Sequence, residues 1–120
     1  MTSHVSVLVV EDEALVRMGI VDYLEDQGFA VFEASNADEA IRLLTANADI
    51  RVLFTDIDMP GGMDGLRLAA AVRDRWPPIK IIVTSGHRKA TAAQMPSDAV
   101  FFAKPYNPDV VAQTVRGLAA

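Results

Sequence analysis

The feature that most constrains this chain is a recurring pair: a short apolar run, then a segment in which apolar side chains return at helical spacing. The runs are Val5 to Val10, Ala30 to Ala34, Ile50 to Thr55, Ile79 to Thr84 and Val100 to Ala103. In most of them apolar residues fill successive positions instead of alternating with polar ones, which is the pattern of a strand buried on both faces. Strands of that kind lie parallel, because a parallel neighbour is reached through a crossover long enough to hold a helix. The fold class is therefore α/β: a single doubly wound, five-stranded parallel sheet with helices on both faces. Ala30 to Ala34 carries one polar residue, Glu33, and is placed at an edge.

The helical segments carry their own punctuation. Ala14 to Gln27 presents Leu15, Met18, Gly19, Val21 or Asp22, and Leu24 as its inner positions and stops at Gly28, a residue suited to a left-handed C-terminal cap. Asn36 caps a helix with Ala40, Leu43 and Leu44 inside, ending near Asn47. Asp64 opens a third, with Leu66, Leu68, Ala69, Val72 and Trp76, which Pro77-Pro78 ends. Asn107-Pro108 is a cap followed by proline at the first helical position, leading through Val111, Val115 and Leu118. Between the fourth and fifth runs, Arg88 to Asp98 holds one large apolar residue, Met95, with Pro96 directly after it. A helix there has little apolar face to bury, so the fourth helix is expected to be short or irregular.

Length and composition narrow the function classes. A chain of 120 residues is one domain, 1–120, with no effector domain, and it buries roughly two-thirds of its unfolded surface. With 51% hydrophobic and 22% charged residues it is not a disordered chain. Its longest apolar runs fall far short of the roughly 18 residues of a membrane span, and no secretory signal opens it. It contains no cysteine, so a soluble protein of the reducing cytoplasm is the expectation. A net charge of −5 argues against binding nucleic acid or anionic membrane, since neither polyanion gains from meeting an acidic surface.

Polar chemistry gathers where the apolar runs stop. Glu11 and Asp12 follow the first run, Asp56 the third, Ser85 the fourth and Lys104 the fifth. In an open α/β sheet the carboxyl ends of the strands share one rim, where ligands bind. Carboxylates brought together there repel one another unless a cation joins them. Oxygen ligands without His or Cys favour Mg2+, which takes one or two carboxylates and keeps vertices for water and phosphate. Beside such an ion one Asp can attack phosphorus and form an acyl phosphate. Lys104 then balances charge on the phosphoryl oxygens and Ser85 donates a hydrogen bond to one of them. Neither GxxxxGK[ST] nor GxGxxG is present, so the phosphoryl donor is not a nucleotide held by a glycine-rich cradle. The scheme requires Glu11 and Asp12 to lie within about 10 Å of Asp56, the most that a single ion could span.

These residues fall in segments that resemble a known family across nearly the whole chain: V-L-V-V-E-D-E at 7–13, T-D-I-D-M-P at 55–60, M-D-G at 63–65, V-T-S-G at 83–86 and K-P-Y at 104–106. The family is the CheY-like receiver domains of two-component response regulators. The resemblance implies strand order 2-1-3-4-5, as in flavodoxin/CheY-like folds. It implies Asp56 as phosphoacceptor, with Glu11, Asp12, Asp56 and the main-chain carbonyl of Asp58 as Mg2+ ligands. Lys104 is its phosphoryl-binding lysine, Pro105 follows a cis peptide, Ser85 is the hydroxyl switch and Phe101 the aromatic that follows it. Asp58 and His87 occupy positions that modulate loss of the phosphoryl group. The loop M-P-G-G-M-D-G carries one glycine more than the family's usual M-P-x-M-D-G. The implied partners are a sensor histidine kinase or a histidine phosphotransfer protein, and a second copy through the face of the fourth and last helices with the last strand. The function so implied is that of a phosphorylation-switched signalling module, not an enzyme beyond catalysing its own phosphorylation and dephosphorylation. Two alternatives share the residues: a haloacid-dehalogenase-like phosphatase using Asp56 and Asp58, and a pseudo-receiver that binds partners without phosphorylation.

Overall fold

The computed structural model describes residues 4–59, 63–86, 95–96 and 98–120. Its strands are β1 (Ser6–Val10), β2 (Ala30–Ala34), β3 (Ile50–Asp56), β4 (Lys80–Ser85) and β5 (Val100–Ala103). Its helices are α1 (Ala14–Asp26), α2 (Ala37–Ala46), α3 (Gly65–Arg75) and α4 (Pro108–Ala119). The strands form one sheet, all pairs parallel, in the order β2-β1-β3-β4-β5. β2 is an edge strand as expected, and its exposed Glu33 pairs with Arg17 at 3.0 Å.

The alternation of side chains along each strand explains why the runs are apolar throughout. Leu8, Val10, Leu53, Ile81 and Val83 face one side, where α2 covers them with Ala40 and Leu44 and α3 with Leu68 and Val72. Val7, Val9, Val52, Phe54 and Ile82 face the other, beneath Ile20 and Leu24 of α1 and Val111 and Val115 of α4. Two apolar layers thus grip one sheet and leave its carboxyl rim open between them. The helix starts follow the caps read from sequence. Asn36 accepts from Glu39 N, Asp64 from Arg67 N and Asn107 from Asp109 N, each at 2.9 Å. Each such bond typically stabilises a helix start by about 1 kcal/mol. Gly28 adopts φ +94°, the left-handed stop.

Three sequence expectations are corrected. β3 and β4 run one residue further than the apolar runs, because Asp56 still pairs with Thr84 and Ser85 with Ala103. Asp56 and Ser85 are thus the last rungs of their strands, held by the ladder. The opposite ends also shift by one: β1 begins at Ser6 and β4 at Lys80. The third correction concerns α1, whose buried residues are Ile20, Val21 and Leu24, whereas Leu15 is 82% and Met18 55% exposed. At about 100° per residue Leu15 and Leu24 lie on opposite sides of the helix, so one cannot be inward if the other is.

The fourth helix expected over Arg88 to Asp98, His87 and the glycines of the Pro60–Gly62 loop fall wholly or largely outside the described residues. The face expected to pair two copies includes that segment. Among the described residues no helix is long and apolar enough to cross a membrane.

Candidate functional site

The rim gathers the acids that the sequence scatters. Glu11 leaves β1 with its amide still bonded to Ala34 O at 3.0 Å, which keeps it in the sheet plane, and it is 3% exposed. Its Oε2 accepts from Glu13 N at 3.1 Å. The cap position of α1 belongs to Glu13, and the first turn holds no acid, so Glu11 and Asp12 do not serve as helix-dipole partners. Asp56 closes β3 at 4% exposure, with Oδ1 accepting from Asp58 N at 3.3 Å. Carboxylate oxygens of Glu11, Asp12 and Asp56 all lie within 4.8 Å of one another.

Lys104 joins the cluster from β5. Its amide donates to Ser85 O at 2.9 Å, and the Lys104–Pro105 peptide is cis. Its Nζ stands 2.7 Å from Glu11 Oε1 and 3.0 Å from Asp56 Oδ2. Burial draws the ammonium down, but the hydrogen bonds and charges of Glu11 and Asp56 outweigh it and hold Lys104 above the ordinary lysine range. Burial pushes Glu11 up, against the pull of the Lys104 hydrogen bond. Among the described residues one ammonium stands against three carboxylates in the cluster. The donors are all hard oxygens, and two oxygens on opposite sides of a magnesium ion are roughly 4 Å apart, so the spread needs only slight closing to suit that ion.

Ser85, 2% exposed, donates its hydroxyl hydrogen to Asp58 Oδ2 at 2.6 Å. Phe101 is half-buried in β5 and packs against the layer beneath α2 and α3. The rim therefore brings together Glu11, Asp12, Asp56, Asp58, Ser85 and Lys104.

Two contributors escaped the sequence reading as working parts. Gly65 starts α3 so close to the acceptor strand that an added Cβ would sit 1.9 Å from the Asp56 carbonyl oxygen, and its amide donates to Ile57 O at 3.0 Å. Only glycine allows that approach. The available signal was a glycine placed directly after a helix cap, where it lowers helix propensity and offers no capping gain. The second is a groove of about 620 Å³ beside the site, lined by Leu15, Val16 and Gly19 on one wall and Lys104, Pro105 and Tyr106 on the other. Tyr106 stacks edge-on against Phe54 with ring centroids 5.5 Å apart, and burial pushes its phenol up to about 12.

Comparison with known proteins agrees with this geometry. The family model described as the response regulator receiver domain matches residues 7–116. The chain is 36% identical, over 97% of its length, to the Sensor kinase CckA of Brucella abortus, and it spans 13% of that protein. A response regulator receiver protein from Sinorhizobium medicae superposes with a TM-score of 0.88 at 29% identity, covering 98% of this chain and 95% of the other. The response regulator protein TrrA of Thermotoga maritima, solved in complex with Mg2+-BeF, gives 0.81 at 25% identity, covering 95% and 98%.

Proposed function

The chain belongs to the response regulator receiver domain family of two-component systems, and from that premise we propose that Asp56 accepts a phosphoryl group from a phosphohistidine. The observation that carries this is the position of the Asp56 carboxylate, closing β3 within the acidic cluster and 3.0 Å from Lys104 Nζ. A carboxylate oxygen of Asp56 attacks phosphorus, the P–N bond to the histidine breaks, and an acyl phosphate remains on Asp56. Lys104 compensates charge on the phosphoryl oxygens, and Ser85 donates its hydroxyl hydrogen to one of them. Glu11, Asp12, Asp56 and the main-chain carbonyl of Asp58 would hold Mg2+, which supplies electrostatic stabilisation of the transferring group. The added charge, near −2, then draws Ser85 and Phe101 toward a second state of the β4–β5 face. His87 joins Asp58 in setting how long the phosphoryl group survives.

The donor is a sensor histidine kinase or a histidine phosphotransfer protein. Leu15, exposed in the groove it shares with Lys104, offers apolar contact for it at the site's edge. Pairing with a second copy through the face of the fourth and last helices with β5 belongs to the same reading. No observation favours the phosphatase alternative, since Asp58 Oδ2 is engaged with Ser85. A pseudo-receiver is not favoured either, because acids, lysine and hydroxyl all stand at the rim. Acetyl phosphate with Mg2+ provides the test. The reading expects a mass gain of one phosphoryl group that vanishes without Mg2+ and in Asp56→Asn; a gain that survives in Asp56→Asn contradicts it.

A further inference from the structure

A hydroxyl carries one hydrogen and can donate it to one strong acceptor at a time. The Ser85 hydroxyl spends that hydrogen on Asp58 Oδ2, at 2.6 Å, in a part-buried contact. The distance is that of a charge-assisted bond, the stronger kind. Both residues are fixed by backbone near their side chains. Ser85 is the last rung of β4, with its carbonyl held by Lys104 N, and Asp58 N donates to Asp56 Oδ1. Neither side chain reaches the other by chance of a loose loop.

We propose that Asp58 is a positioning residue that restrains the switch: its carboxylate is a competing acceptor that holds the Ser85 hydroxyl in the unphosphorylated state. The inference rests on the reading of Asp56 as phosphoacceptor. A phosphoryl group on Asp56 must win the Ser85 hydrogen from Asp58 before the hydroxyl can turn to it. The Asp58 carboxylate therefore lowers the gain from phosphorylation and sets a threshold below which the switch stays off. This is distinct from plain repulsion between Asp58 and a phosphoryl group, because competition acts through the Ser85 hydrogen and disappears when that hydrogen is removed.

The test is a double-mutant cycle on the whole chain, with fluoroberyllate and Mg2+ as the phosphoryl probe. In the presence of Ser85, Asp58→Ala should tighten fluoroberyllate binding by about tenfold more than it does in a Ser85→Ala background. Tenfold corresponds to about 1.4 kcal/mol, within the range of a hydrogen bond to a charged group. Repulsion alone gives the same gain in both backgrounds and overturns the proposal while leaving Asp56 as acceptor. Fluoroberyllate binding that is absent, or indifferent to Asp56→Asn, overturns the acceptor reading and the proposal with it. Asp58→Asn serves in the same cycle if Asp58→Ala does not fold. A second readout needs neither metal nor probe. The Hα–Hβ couplings of Ser85 should report a different rotamer population in Asp58→Ala from that in the parent chain; identical couplings in both contradict the restraint.

Discussion

Lys104 stands between two almost fully buried carboxylates, so its loss exposes what the site demands. Lys104→Met leaves Glu11 and Asp56 without their ammonium, a deficit of about 1–3 kcal/mol by the usual cost of stripping a buried group of its partner. Urea unfolding without Mg2+ should show that loss, and Mg2+ should recover more stability in the variant than in the parent. Equal stability of the two without Mg2+ contradicts the arrangement. Gly65→Ala forces a methyl group against the Asp56 carbonyl oxygen. Overpacking of that kind costs about 1–3 kcal/mol, and the displaced Asp56 should take up phosphoryl from acetyl phosphate more slowly. At this scale the charged members of the site were legible, since Glu11, Asp12, Asp56 and Lys104 each interrupt an apolar strand at the same end. The role of Gly65 and the Asp58–Ser85 bond were not, because each depends on a close contact that only the folded strand ends and loops create.

α1 shows how an element can be found without its rotation being known. Its start and its Gly28 stop are written locally, but which stripe faces the sheet depends on how the helix seats on β1 and β2. Leu15 and Leu24, equal as residues, should therefore behave as opposites. Leu24→Ala opens a cavity in the layer beneath α1 and α4 and should cost about 2–5 kcal/mol. Leu15→Glu, on the exposed side, should change stability by no more than about 0.5 kcal/mol. The same Leu15→Glu should slow phosphoryl transfer from a histidine kinase and leave the acetyl phosphate reaction unchanged. Equal slowing of both reactions would mean that Leu15 serves the site and not the partner. The strands needed no such arbitration, since burial on both faces makes every rotation of an apolar run equivalent.

Two apolar layers clamp the sheet from both sides, and the molecule's alkaline limit follows from what they enclose. Burial lifts Tyr106 to about 12, and a hydrogen bond to Asp109 lifts Tyr23, whose hydroxyl ties α1 to α4. An unfolded tyrosine releases its proton near about 10. Between about pH 10 and pH 12 the folded chain thus binds more protons than the unfolded one, and stability falls as pH rises through that window. Urea midpoints should drop between about pH 10 and pH 12, and the drop should narrow in Tyr106→Phe; an unchanged drop contradicts the role given to Tyr106. The topology was legible because parallel, doubly buried strands admit few arrangements, and their order came from family resemblance. The whole arrangement converges on one carboxylate, and borohydride reduction of the chain after treatment with acetyl phosphate and Mg2+ tests that most directly. Reduction of an aspartyl phosphate leaves homoserine, which peptide mass mapping should find at position 56; homoserine at another acid, or at none while the phosphoryl mass is present, contradicts the account.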